Sequence, residues 1–195
     1  MIRYGILIGI SIFVASLLAV ITQTYKRLDE WMFNVMEPFN FLEWMDFLGN
    51  KYVITIGAIL LLLLLLKNGQ KFGALTVLLT IGVGLLIRHL LTNGVGRERP
   101  PFYEGLEKFS FVSGHTMQGT IFYFLASYFL VNVGKIKKHK TSLYILAITI
   151  SILIGLGRII EKAHYFTDVA GGFGLGMTIA LLGILCYEKL SDHEK

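Results

Sequence analysis

The sequence predicts an all-α, polytopic membrane protein: six transmembrane helices in a bundle, with an amphipathic interfacial segment after the first. Two observations carry this reading. Hydrophobic residues make up 54% of the 195 positions and charged ones only 16%, with a mean hydropathy of +0.66, whereas ordinary soluble domains are about 25% charged. Six apolar stretches, parted by short polar segments, also approach the ~20 residues needed to cross a ~30 Å hydrocarbon core. At roughly 100–200 residues per domain, residues 1–195 are read as a single membrane domain.

Residues 2–22 are apolar and long enough to span. A cleaved signal peptide is the competing reading. Arg3 is the only early positive charge and no small-x-small site precedes Tyr25, so the stretch is taken as a span. Residues 25–50 are mixed. Leu28, Trp31, Met32, Val35, Met36 and Phe39 recur at helical spacing, and Phe41, Trp44, Met45 and Leu48 repeat it after Pro38. Such a segment suits the membrane interface, either as a plain surface helix pair, the favoured reading, or as a lid over a substrate entrance. Further spans are expected at 52–66, 72–91, 111–133, 142–157 and 164–187. Gly172 and Gly176 form a small-xxx-small pair that lets a neighbouring helix approach.

The formal charge of +5 lies in short loops, with no basic tail or aromatic-interleaved patch. Nucleic acid is therefore excluded as a partner, and charge serves to set topology. Residues 135–140 hold four lysines in six positions. Keeping that loop cytoplasmic places both termini inside and the loops 92–115 and 157–168 outside, in a multi-pass plasma-membrane protein. Arginines and lysines divide nine and nine between the two sides, or nine against six once Arg97, Arg99 and Arg158 are set aside for chemistry. A lone cysteine, Cys186, excludes an internal disulfide and is expected to be a buried, inert thiol, with palmitoylation the alternative.

Three polar islands interrupt the apolar chain: residues 96–101 with Arg97 and Arg99, Ser113-Gly114-His115, and Arg158 with His164 and Asp168. Two crossings separate the first two from the third, so all three emerge on one side. Ser113-Gly114-His115 stands where a loop turns into a helix. Unpaired N–H groups and the positive end of the helix dipole favour an anion there. Gly114 lets the anion come close to the backbone, and Ser113 can cap the helix or bind the anion. His164 and Asp168, four apart, share a helical face, so the carboxylate can orient the imidazole as a base or nucleophile. Arg97, Arg99 and Arg158 offer planar forks to phosphate oxygens. Each feature has a structural alternative: a serine cap, a hydrogen-bonded interfacial histidine, arginines that snorkel or hold lipid headgroups. Their joint occurrence on one side favours a site.

At these residues the sequence resembles the type 2 phosphatidic acid phosphatase family of integral membrane lipid phosphatases, whose pattern is Lys-x6-Arg-Pro, Pro-Ser-Gly-His and Ser-Arg-x5-His-x3-Asp. Arg99-Pro100, Ser113-Gly114-His115, Arg158, His164 and Asp168 fit, across residues 92–168. Thr92 replaces the lysine, Val112 the proline and Gly157 the serine. The resemblance implies that His164 attacks phosphorus to form a phosphohistidine, Asp168 orients it and His115 protonates the leaving group. Arg99, Arg158, Ser113 and Gly114 then bind the phosphate, with no metal and no cofactor. Arg97 is expected to replace part of the charge lost at Thr92.

The expected function is metal-independent dephosphorylation of a lipid phosphate or diphosphate at the outer membrane face. Phosphatidylglycerophosphate, phosphatidic acid and a polyprenyl diphosphate are the candidate substrates, and the lipid bilayer is the expected partner. The alternatives are a lipid-phosphate binding or transport protein, a phosphotransferase to a lipid or sugar hydroxyl, and, ranked last, a metal site built from His115, His164 and Asp168.

Overall fold

Helix α1 (Ile2–Ile21) carries no charge beyond Arg3, and its Leu7, Ile8, Val14 and Leu18 face outward, as contact with lipid requires. Its opposite face packs on α7 (Phe166–Asp192). At the crossing, a Cβ added to Gly9 would lie 2.7 Å from the Gly174 carbonyl oxygen. The Gly172/Gly176 pair serves another neighbour, α5 (Gly114–Val133): Cβ atoms there would meet the Ser113 and Met117 carbonyls at 2.8 and 2.6 Å. Absent side chains thus let α7 lie close to two helices at once. The computed structural model describes residues 2–103, 105–134 and 136–192. Lys135 of the lysine loop and the end of the polar tail lie outside the described residues.

Helix α5 is the centre of the bundle. Met117, Ile121, Leu125 and Phe129 are fully buried against α3 (Lys51–Lys67), α4 (Lys71–Val95), α6 (Lys140–Ile160) and α7. Between α1 and α3 run α2 (Lys26–Met36) and a 3-10 segment (Glu37–Gly49) that packs on α6. The break between them falls just ahead of Pro38, which has no N–H to continue the α-helical pattern. Asn50 then caps α3, its side chain accepting from the Tyr52 N–H at 2.9 Å.

The described residues are helical throughout apart from turns, loops and one isolated bridge, Glu98 with Phe109. Against six expected spans, length and apolarity identify four: Ile2–Ile21, Lys71–Val95, Lys137–Ile160 and Phe166–Ser191. A fifth arises if Lys26–Gly49 and Lys51–Lys67, bent by 46°, count as one. Helix α5 is not among them, because it carries His115, Gln118 and Asn132 and is covered by protein instead of lipid. Helix α4 runs four residues beyond its expected end, to Val95, where Gly96 takes the left-handed conformation (φ 62°) and returns its N–H to Thr92. Cys186 corrects an expectation: it is exposed, since it sits on the outer side of α7 beside the inward-facing Ile184.

Candidate active site

The loop from Gly96 to Ser113 is closed by the Glu98–Phe109 bridge and by the Ser110 N–H donating to the Arg97 carbonyl at 2.8 Å. Arg97 and Arg99 are two apart on this extended segment, so their side chains leave on one side. Both reach the turn into α7. Arg99 Nη1 donates to the Ala163 carbonyl at 2.8 Å and lies 3.3 Å from His164 Nε2. Arg97 Nη1 donates to Thr167 at 2.7 Å and to Asp168 Oδ1 at 2.5 Å.

His164 is fully buried, and its Nδ1 lies 3.6 Å from Asp168 Oδ2. That is longer than a hydrogen bond, but such contacts tighten when substrate binds. The same Oδ2 accepts from the Tyr165 N–H at 3.0 Å, a reciprocal helix cap that fixes the carboxylate. Nδ1 thus faces an acceptor while Nε2 faces a cation, the arrangement needed for a nucleophile aimed at a phosphate held by Arg99. Burial pushes the His164 pKa down to about 4; Asp168 opposes the fall, and Arg99 and Arg158 add to it. The imidazolium is the disfavoured form, so the ring loses its proton near pH 4 and is neutral and nucleophilic above it. In the NMR titration of ring-labelled protein, His164 is expected to change near pH 4. A midpoint near the ordinary ~6.5 would overturn this.

At the start of α5, Ser113 is buried and extended, and its N–H donates to the Asp168 carbonyl at 3.1 Å. Its hydroxyl bonds to Thr116 Oγ1 at 3.0 Å and makes no helix-capping bond, one of the two roles expected of it. Gly114 and His115 follow, lining a cavity of about 290 Å3 with Arg88, Glu107, Gln118 and the apolar Ile54, Ile81 and Leu85. Arg158, buried at the end of α6, donates to Asp46 at 2.9 Å and to Glu161.

The geometry therefore gathers Arg99, His164 and Asp168 directly, ties Ser113 to Asp168 through the backbone, and places Gly114 and His115 on the adjoining cavity. Arg97 is the correction. Expected among the phosphate ligands, it lies on the Asp168 oxygen opposite the one facing His164. Its second nitrogen donates to Asp29 at 2.6 Å, and its guanidinium is stacked 4.0 Å from the ring centres of both Tyr25 and Tyr165. Both outer nitrogens are thereby engaged with protein groups behind the Asp168 carboxylate, and Nε is the nitrogen left without a partner.

Sequence reasoning missed several charged groups, Glu107, Glu161, Asp29, Asp46 and Arg88. Asp29 and Asp46 belong to the segment read as a surface pair, yet they reach Arg97 and Arg158. Asp29 stands three and seven residues before Met32 and Met36, so an acid on the apolar face was the available signal. Asp46 depends on a 3-10 path that α-helical spacing does not foresee. Arg88, within an apolar run, reaches Glu107 at 3.3 Å. The departure at Gly157 also finds a cause: a Cβ there would lie 2.8 Å from the Asp46 N–H nitrogen and 3.0 Å from the Glu43 carbonyl. Any larger residue would push away the segment that delivers Asp46.

The chain is similar to known proteins in both fold and sequence. A crystal structure of a transmembrane PAP2-type phosphatidylglycerolphosphate phosphatase from Bacillus subtilis superposes with a TM-score of 0.84, at 27% identity, over 94% of this chain and 97% of that one. Phosphatidylglycerophosphatase B of Bacillus subtilis (strain 168) is 36% identical over 116 residues, 58% of this chain and 57% of that protein. The chain thus matches little more than half of that relative's length. Residues 73–192 match the PAP2 superfamily, a stretch that holds all three polar islands. This integral membrane chain belongs to the PAP2 superfamily.

Proposed function

We propose that this protein removes phosphate from a lipid phosphate ester or diphosphate, through a phosphohistidine on His164. The observation that carries this is the setting of His164: a buried, neutral imidazole with one nitrogen toward Asp168 and the other toward Arg99. Nε2 attacks phosphorus as the bond to the leaving oxygen breaks, and His115, once protonated beside the phosphate's negative charge, gives that oxygen a proton. Water then attacks the phosphohistidine, returns a proton to His115 and frees both inorganic phosphate and His164. Arg99, Arg158, Ser113 and the Gly114 N–H hold the phosphate oxygens as charge develops on them. Asp46 and Glu161 keep Arg158 extended meanwhile.

Phosphatidylglycerophosphate is the favoured substrate, because both matched Bacillus subtilis proteins carry that activity in their names; phosphatidic acid and polyprenyl diphosphates have the same reacting group. Counting α5 and the bent α3 unit beside the four candidate spans gives six crossings, which supports the reading that the site loops share one face. The lysine-rich turn before α6 supports an outward-facing site, since positive loops stay in the cytoplasm.

The test is phosphate release by the detergent-purified protein from these three lipids, with a chelator present throughout. Release is expected, fastest from phosphatidylglycerophosphate, with an acid-labile phosphoryl label on the His164 peptide. A folded protein that releases nothing from any of them would overturn the reading in favour of lipid-phosphate binding, and phosphorylated lipid or sugar acceptors would reveal a phosphotransferase.

A further inference from the structure

Position 92, where the family pattern has its lysine, holds a threonine whose hydroxyl is buried and unpartnered. One helical turn earlier on the same face of α4 stands Arg88. Its guanidinium lies flat against the first residue of α5. A Cβ on Gly114 would sit 2.5 Å from Arg88 Nε and 2.7 Å from Cζ, so a larger residue would shift the guanidinium from this place.

A cation pressed against the positive end of a helix is unfavourable unless an anion shares the place. Here the anion is Glu107. One of its oxygens takes Arg88 Nη2 at 3.3 Å and also Arg99 Nη2. A single oxygen bridged by two guanidinium groups at a helix N-terminus is the environment of a phosphate oxygen. Two arginines against one carboxylate leave a positive charge over, and Arg88 Nε is buried with no acceptor. Glu107 itself comes from the loop and is half exposed, its side chain 57% accessible, so it can leave without disturbing the core.

We propose that Arg88 is a phosphate-binding residue of this site, and that the Glu107 carboxylate holds the phosphate's place until the lipid displaces it. The proposal rests on the phosphatase reading above. Arg88 then does from one turn away what the lysine does in the family pattern, and Gly114 leaves room for it there.

The experiment compares wild type, Arg88→Ala and Arg88→Ala/Thr92→Lys, in detergent, for hydrolysis of phosphatidylglycerophosphate and for inhibition by inorganic phosphate. Arg88→Ala is expected to lower kcat/KM about a hundredfold and to weaken phosphate inhibition at least tenfold, with part of both recovered by Thr92→Lys. An unchanged phosphate inhibition constant in Arg88→Ala overturns the proposal, whatever happens to turnover, because a merely structural role would leave anion affinity intact. If Arg88→Ala fails to fold, Arg88→Gln, which removes the charge and keeps much of the shape, is read in the same way. Should the wild type prove inactive, binding of phosphate measured by calorimetry replaces inhibition. Arg88-dependent binding then supports the anion site while the hydrolase reading falls, and Arg88-independent binding sinks both.

Discussion

Replacing His164 by alanine is expected to abolish phosphate release, with a loss of at least about ten-thousandfold, as when a nucleophile is removed from a unit that acts together. His164 has no understudy. His115 opens onto the neighbouring cavity, and the remaining groups nearest the ring, Arg99 and Asp168, cannot form a covalent intermediate by the same route. The comparison that makes the result specific is His115→Ala. A general acid contributes roughly a hundred- to ten-thousandfold, and only when the leaving group needs a proton. With a nitrophenyl phosphate ester, whose phenolate leaves unprotonated, His115→Ala is expected to recover much of its rate of phosphohistidine formation, read as a burst of nitrophenolate, while His164→Ala shows no burst. Equal recovery of both variants would mean that the two histidines do not divide the work in this way.

Arg97→Leu is expected to be the most destabilising single change near the site. Arg97 is buried between two carboxylates, Asp29 and Asp168, whose side chains are 2% and 0% exposed. Removing the cation leaves two buried negative charges facing each other across the space it filled. Breaking a buried pair from one side costs about 3–5 kcal/mol, and the stacking on Tyr25 and Tyr165 is lost as well. For a chain of this size that corresponds to a fall in melting temperature on the order of 10 °C. Adding Asp29→Asn is expected to return part of the loss, since it removes one of the stranded charges. Thermal unfolding in detergent decides the matter. A wild-type melting temperature for Arg97→Leu, or additive losses in the double variant, would show that the network contributes little. The network also joins α2 to the carboxylate that faces His164, because Asp29 accepts from the Thr167 N–H at 3.0 Å and from its hydroxyl at 2.9 Å. A variant that unfolds less than expected should still lose activity, through a carboxylate no longer fixed from behind.

Much of this protein was legible in its sequence, for a physical reason. Membrane helices announce themselves by uninterrupted apolar length, and polar residues that interrupt such a chain stand out. The islands around Arg99, Ser113 and His164 were found in that way, and their spacing carried the family resemblance that the residues 73–192 match established. The His164–Asp168 juxtaposition was expected from a shared helical face, whereas His164 stands in the turn before α7, which begins at Phe166, and it is that turn which brings Nδ1 to 3.6 Å from Asp168. Close packing at Gly172 and Gly176 followed from helical spacing.

What only the tertiary structure decided are the partners that come from far along the chain. Arg97 and Arg99 look alike in sequence, yet one grips Asp29 and Asp168 from behind while the other faces His164. Two neighbours on one extended segment reach different depths of the same turn, and no local pattern distinguishes them. Asp29 and Asp46 meet their arginines across 68 and 112 positions, and Arg88 meets the end of a helix that begins 26 residues later. Composition and periodicity describe which face of an element is apolar. Which charge answers which is settled when the elements pack, because a buried charge must find its counterpart in space, wherever that lies in the chain.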